Sequence, residues 1–360
     1  MKPITLRTSV RTLLAVGLGA SLALTAGCAK SEDDASDGKN GDGGGAGQAV
    51  SESKGGKTCA IDTYGGKKLD LKTATVGFSQ SEKEANPFRI AETASIKAEA
   101  EKRGVKLLTA NAQSQFSKQI SDVQDLIAKG ADLLVIAPLN SDGWEPVLRA
   151  AGAKHIPIVT VDRKINATAC KDYVSFIGSD FVAQGRRAAD RMIETTGGKG
   201  KIAILLGAAG NNVTTERTKG FEERLKEKAP GLRVVFKQTG EFAREKGQQV
   251  TEQLIQSKPD ITGIYAENDE MGLGAVNALK GAGKKAGDVK IVTIDGTKGA
   301  VRGIVDGWID GVIESNPRFG PLAFKTLDAF TKGEQVAQDI VIKDSAYTKD
   351  NAKADLGKAY

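Results

Sequence analysis

The sequence predicts an α/β protein made of two doubly wound parallel-sheet lobes. Three observations carry this. Short runs of Ile, Val and Leu recur with helix-period segments between them, the alternation begins afresh near Tyr173, and polar residues gather just past the strand ends in both halves. Strand, helix, strand at this spacing means parallel strands joined by right-handed crossovers. Apolar runs this short fit strands covered on both faces. With 360 residues, 40% of them hydrophobic and 27% charged, the chain is long enough for two domains of ordinary size.

Taken in order, 74–79 is the first strand. Asn86-Pro87-Phe88-Arg89 opens a helix, since proline suits a first helical turn, and Gly104 stops it. A strand at 105–109, a helix over 119–127, a strand at 132–138 and a helix over 144–153 come next. The run 156–161 is a β-branched strand entered through Pro157, and it ends in Asp162-Arg163. The second half repeats the scheme. Its strands are 173–177, 201–206, 232–236, 261–265, 290–294 and 311–314. Its helices run over 182–195, through Arg217, Phe221 and Leu225, over 247–256 and over 317–330.

In an open α/β sheet, ligands bind beyond the carboxyl ends of the strands, which is where Asp162 and Arg163 stand. An aspartate accepts hydrogen bonds and an arginine donates them in a planar fork. The pair suits a ligand that does both, as sugar hydroxyls do; a local surface ion pair is the plainer alternative. Three arginines beside Asp162, Asp295 and Glu314 are expected to keep those carboxylates ionised, which opposes general-acid catalysis. The sole histidine, His155, has no nucleophile motif near it, and no metal-ligand spacing occurs. The loop 207–212 lacks the Lys-Ser/Thr of a phosphate loop. An enzyme is therefore not expected. The net charge of +6 is spread among acids, without a basic block interleaved with aromatics, so nucleic acid is excluded as a partner.

The first seventy residues are read separately. Lys2, Arg7 and Arg11 form a basic region, and 12–26 is apolar but too short for an ordinary membrane span. Leu24-Thr25-Ala26-Gly27-Cys28 resembles the bacterial lipoprotein signal, with Thr25 where Leu is usual. The expectation is a signal peptide over 1–27, lipidation at Cys28 and a flexible tether through 72. The segment 29–58 is rich in Gly, Ser, Asp and Lys and cannot bury enough surface to offset ordering entropy. Two other cysteines remain, Cys59 and Cys170, and outside the cytoplasm an even remainder suggests one disulfide. Two free thiols are the alternative.

Val76-Gly77-Phe78-Ser79-Gln80, Trp144-Glu145-Pro146-Val147-Leu148, Asp162-Arg163, Glu267-Asn268-Asp269-Glu270-Met271 and Thr293-Ile294-Asp295-Gly296 form an ordered set. Together, over residues 73 to 360, they resemble the periplasmic sugar-binding proteins of ABC importers, of the ribose-binding type. The first two runs are most similar to the galactofuranose-binding branch. The resemblance implies a periplasmic binding protein type I fold with three chain crossings, near Ser179, Ser315 and Lys343. The lobes would be 73–179 with 315–343 and 180–314 with 344–360. It implies capture of a monosaccharide (galactofuranose, ribose or similar) outside the membrane, delivery to an ABC permease, no cofactor and no chemistry on the solute. A monomer is expected. A sugar-sensing receptor that presents its ligand to a membrane signalling partner is the alternative.

By position, the resemblance assigns Asn86, Phe88 and Arg89 to a first binding loop and Asp162 and Arg163 to a central pair. It assigns Arg217 to sugar binding, Phe242 to stacking, and Asn268, Asp295 and Glu314 to polar contacts from the second lobe. The chain departs from the galactofuranose branch at Pro87-Phe88, where Gly-Trp is usual, in the longer loop 81–85, and at Phe181 in place of Asn. These residue types suit the chemistry. Phe88 and Phe242 can cover the apolar faces of a sugar ring, although either alone could be ordinary core, and the charged groups can meet its hydroxyl rim. Trp144 is read as packing.

Overall fold

The computed structural model describes the backbone of Val50–Ser51 and residues 56–360; the expected signal peptide and Cys28 lie outside the described residues. The elements, in chain order, begin with β1 (Val50–Ser51), β2 (Thr58–Cys59), α1 (Ile61–Tyr64), β3 (Thr75–Gln80), α2 (Pro87–Arg103), β4 (Lys106–Asn111) and α3 (Phe116–Ala128). Next come β5 (Leu133–Ile136), α4 (Glu145–Ala153), β6 (Ile158–Val161), β7 (Ser175–Ser179), α5 (Phe181–Thr196), β8 (Gly200–Leu206) and α6 (Asn212–Lys228). After these stand β9 (Leu232–Thr239), α7 (Arg244–Ser257), β10 (Gly263–Ala266), α8 (Asp269–Gly281), β11 (Lys290–Asp295), α9 (Lys298–Val305) and β12 (Gly311–Glu314). The chain ends with α10 (Gly320–Lys332), β13 (Val336–Ala337), β14 (Asp339–Ile342), β15 (Ala346–Tyr347) and α11 (Ala352–Asp355).

The strands form two main sheets, ordered β1-β14-β7-β6-β5-β3-β4 and β15-β12-β11-β10-β8-β9. Each therefore repeats one doubly wound scheme, with parallel pairing through its centre. The inner strands β3, β5, β6 and β7 are buried throughout, polar residues such as Ser79, Gln80 and Thr160 included, whereas the outer strands β4 and β9 are largely part-exposed. The chain leaves the first sheet after β7, returns to it after β12, and crosses again between β14 and β15. The helices that come after the first two crossings pack in the lobe just entered: α5 against α6, β11 and β12, and α10 against α2, β6 and β7. This is the two-lobe, three-crossing α/β architecture.

Several boundaries differ from the sequence reading. The helix expected from Pro317 begins at Gly320; before it the Arg318 amide donates to Asn316 Oδ1 at 3.0 Å instead of entering a helix, and at Gly320 a β-carbon would lie 2.2 Å from the Ser95 carbonyl oxygen, so only glycine lets α10 seat on α2. The helices α3 and α7 start about one turn earlier than their apolar periodicity indicates, since Ser117-Lys118 in one and Arg244-Glu245-Lys246 in the other leave no periodic mark. The strand β9 runs three residues longer, through a register shift opposite Ile202 and Ala203. Near the start of the first lobe, the sulfurs of Cys59 and Cys170 are bonded, with Cα atoms 5.1 Å apart. This ties the β2 segment to the loop between β6 and β7, and it corrects the expected tether through 72: from Thr58 the chain is folded, with β2 paired to β13 and Ile61 and Leu71 buried in the first lobe's core.

Candidate functional site

The carboxyl ends of the two sheets face one cleft. Its wall is Glu82, Asn86, Phe88, Arg89, Asp162, Arg163, Val213, Arg217, Phe242, Asn268 and Asp295. Nine of the ten expected sugar-binding residues are thus brought together. Glu314 is not among them. Its Oε2 accepts from the Ser345 amide at 2.9 Å, because the third crossing folds back on β12 as β15 and offers that donor.

The first-lobe half of the wall is an ionic net. Asn86 caps α2, accepting from the Phe88 amide at 2.8 Å, and so aims Phe88 and Arg89 inward. Arg89 Nη1 lies 2.7 Å from Asp162 Oδ2 and 2.8 Å from Glu92 Oε2, and its Nε lies 3.0 Å from Glu82 Oε2. Arg163 Nη2 meets Glu82 Oε1 at 2.6 Å, and its Nε is 3.6 Å from Asp162 Oδ2. Arg163 is also held by the Leu139 carbonyl at 3.2 Å and lies over the Phe242 ring at 5.7 Å. Phe88 serves two ends, since its ring also packs on Phe319 and Tyr360, 6.3 and 6.2 Å away.

The second-lobe half is built on close backbone approach. A β-carbon on Gly185 would lie 2.2 Å from the Arg217 carbonyl oxygen, and one on Gly220 would lie 2.1 Å from that of Val182, so α5 and α6 touch only because both are glycine. That contact places Arg217. Its Nε donates to Gln184 Oε1 at 2.9 Å, its Nη1 to the Glu267 carbonyl, and its Nη2 lies 3.6 Å from Asp295 Oδ1. Phe181, the departure noted in the sequence, packs its ring 5.5 Å from the same guanidinium. Phe242 sits over Gly207, where any β-carbon would fall 2.0 Å from its ring. Asn268 caps α8 and donates to the Phe242 carbonyl at 3.1 Å.

Asp162, Phe242 and Asp295 all have left-handed backbone, at φ 64°, 59° and 143°. Three such residues in one cleft wall fit the clustering of backbone strain at functional sites. The electrostatics divide. Burial alone raises Glu82, but the two arginines bring it down to about 2. Glu92, behind the wall, is pushed up to about 7 by burial, against the pull of Arg89. Asp295 is pushed well above the usual carboxylate range by burial, which outweighs Arg217 at 3.6 Å. This corrects the expectation that the arginines hold the site carboxylates ionised: desolvation outweighs the cation at Asp295, and behind the wall it does so at Glu92 even with Arg89 in contact at 2.8 Å.

Glu82 is the residue the sequence reading missed. It lies two positions past β3, at the same strand-end edge as Asp162, and that placement was the available signal. Val213 carried no signal. Trp144 is packing, as read: it is buried, stacks edge-on against Phe116 and donates to the Asn140 carbonyl at 2.8 Å. Across the mouth of the cleft the lobes meet, the Ser141 amide on the Gly210 carbonyl at 2.8 Å and the Lys164 amide on Asn212 Oδ1 at 3.0 Å. Among the described residues no group of His, Cys, Asp and Glu forms a metal site.

A family model for the periplasmic binding protein domain matches residues 76–335. The chain is 35% identical over 290 residues to the galactofuranose-binding protein YtfQ of Escherichia coli, covering 79% of this chain and 91% of that one. It is 37% identical over 270 residues to the ribose import binding protein RbsB of Bacillus subtilis, covering 75% and 85%. A crystal structure of a galactofuranose binding protein superposes with a TM-score of 0.76 at 35% identity, covering 79% of this chain and 98% of that one.

Proposed function

The chain belongs to the periplasmic binding protein family, and we propose that its cleft captures one neutral monosaccharide, galactofuranose, ribose or a similar sugar, for delivery to an ABC importer. The observation that carries this is the wall itself. Three arginines stand against three carboxyl groups, Glu82, Asp162 and Asp295, with an aromatic ring from each lobe. Mixed donors and acceptors match hydroxyls, each of which both gives and takes a hydrogen bond.

The proposed contacts are Asn86, Phe88, Arg89, Asp162, Arg163, Arg217, Phe242, Asn268 and Asp295, joined by Glu82; Glu314 acts at the hinge. The lobes are 73–179 with 315–343 and 180–314 with 344–360, and they close on the ligand like a trap. Closure is favoured only by contacts the ligand gains in the closed state. The protein works as a monomer outside the cytoplasm, without nucleic acid. Lipidated Cys28 and the tether between it and β2 hold the protein to the membrane beside its permease, a reading supported by the small residues that precede Cys28.

A thermal-shift and calorimetric screen over pentoses, hexoses and furanose-rich sugars tests the capture. Saturable binding of at least one, weakened by Asp162→Ala, is the expected result; no binding by any of them overturns the reading. For the anchor, Cys28→Ala should release the protein from membranes of the expressing cell, and retention would refute lipidation.

A further inference from the structure

Behind the cleft wall, the three crossings share one hydrogen-bonded node. Gln184, in the first turn of α5, is buried. Its Oε1 accepts from Arg217 Nε at 2.9 Å. Its Nε2 donates to Asp344 Oδ2 at 2.7 Å and to the Glu314 carbonyl at 3.3 Å. Asp344 Oδ1 in turn accepts from the Ser179 hydroxyl at 3.1 Å. Ser179 is the last residue before the first crossing, Glu314 the last before the second, and Asp344 lies in the third. Arg187, one turn further along α5, donates to the Asp344 and Ser345 carbonyls at 2.9 and 2.8 Å.

An amide has one accepting end and one donating end. Turning Gln184 over would set its N–H groups against the Arg217 N–H and its oxygen against a carboxyl group, so both neighbours fix its orientation. Both of its N–H groups and its oxygen are then used. Gly185, the next residue, brings the Arg217 backbone close enough for this contact.

We propose that Gln184 and Asp344 form a positioning relay, which couples the seating of Arg217 in the cleft to the joined arrangement of all three inter-lobe crossings. The inference deepens the reading of the cleft as a sugar site and rests on it. Neither relay residue lies in the cleft wall. Their influence on a ligand runs through Arg217 and through the hinge. A sugar that orders Arg217 therefore favours the joined crossings, and the joined crossings favour an ordered Arg217, as linkage requires.

The deciding variant is Asp344→Ala, which leaves the wall intact; Gln184→Leu removes the centre of the relay. Asp344→Asn is the conservative variant, since its oxygen still accepts from Gln184 and its amide faces a hydroxyl that accepts. The first measurement uses ligand-free protein labelled with ¹⁵N-arginine and tracks hydrogen exchange of the Arg217 Nε–H. Exchange about tenfold faster in Asp344→Ala and Gln184→Leu, and near wild type in Asp344→Asn, is expected for loss of one buried hydrogen bond. Unchanged exchange in Asp344→Ala overturns the relay. The second measurement titrates D-ribose, L-arabinose and D-galactose into each protein. For any sugar the wild type binds, Asp344→Ala should bind about tenfold more weakly, and the double variant no more weakly than Gln184→Leu alone. Additive losses, or an affinity within about twofold of wild type for Asp344→Ala, overturn the coupling. If the wild type binds none of the three, the sugar reading is what suffers, and the exchange measurement still decides the relay.

Discussion

The strand β6 of the first lobe and β11 of the second hold the same place in their sheets, and each delivers an aspartate with left-handed backbone to the cleft, Asp162 and Asp295. The segments beyond the two aspartates differ. After Asp162 the chain runs as a loop stapled by Cys170 to Cys59, and after Asp295 it turns at Gly296 into α9. Their surroundings differ too. Asp162 touches Arg89 at 2.7 Å, within a net that includes Arg163 and Glu82, whereas Asp295 has Arg217 no closer than 3.6 Å and is pushed well up by burial. One backbone plan thus carries two electrostatic designs. The first lobe presents ions already paired with one another, a preorganised half-site that loses little freedom on binding. The second presents an arginine held chiefly by neutral groups, Gln184 and a carbonyl, and an aspartate short of a partner. That is where a ligand has most to add.

The largest test of this contrast sets Arg217→Ala against Arg163→Ala. Removing Arg217 leaves Asp295 and Gln184 facing a gap, and sugar affinity should fall by about a hundredfold or more by calorimetry. Removing Arg163 leaves Glu82 on Arg89, and the loss should be nearer tenfold, the cost of about one good hydrogen bond. The reverse order would break the comparison. Next in size is the staple. Cys59→Ser with Cys170→Ser should cost roughly 2–4 kcal/mol in denaturant unfolding. Amide exchange should quicken between β6 and β7 but not around α9; equal quickening in both lobes would remove the distinction.

Gly220→Ala should lower stability by about 1–3 kcal/mol, because its β-carbon meets the Val182 carbonyl at 2.1 Å. The damage belongs to the second lobe, and loss of affinity should accompany it through displaced Arg217. An unchanged melting temperature would show that α5 and α6 part freely. The smallest effect is a pH slope. Burial pushes Glu267 up to about 7, against hydrogen bonds from Thr218 and the Gly207 amide. A carboxyl raised from its ordinary 4.5 favours the folded state while protonated. Its contribution is complete below pH 4.5 and is withdrawn as the pH rises through 7. Glu267→Gln keeps both contacts and should flatten the fall in stability between pH 5 and 8 by of order 1 kcal/mol. An identical slope in both proteins would assign it elsewhere.

Much of this was legible in the chain. Short Ile-, Val- and Leu-rich runs with punctuation marked the inner strands of both sheets, because a strand covered on both faces draws apolar side chains to each of them. Nine wall residues were named through the resemblance, position by position, and of these Asp162, Arg163, Asn268 and Asp295 also stand at or just past strand ends. Glu82 was not, since a glutamate in a charged loop looks like solvent-facing charge until two arginines from other elements are seen to converge on it. Glu314 went the other way: its strand-end position is that of a site residue, but a backbone amide from the third crossing claims its carboxylate.

By itself, then, the order of residues determined the two α/β lobes, the family, and the kinds of side chain that meet at the strand ends. Those are set by local periodicity and by position along each strand. Only the tertiary structure decided which charges pair, which aspartate is pushed up, and how one glutamine ties three distant crossings together. Such contacts join residues as much as 165 positions apart, as Ser179 and Asp344 are, and depend on distances of an ångström or less that no spacing in the chain encodes.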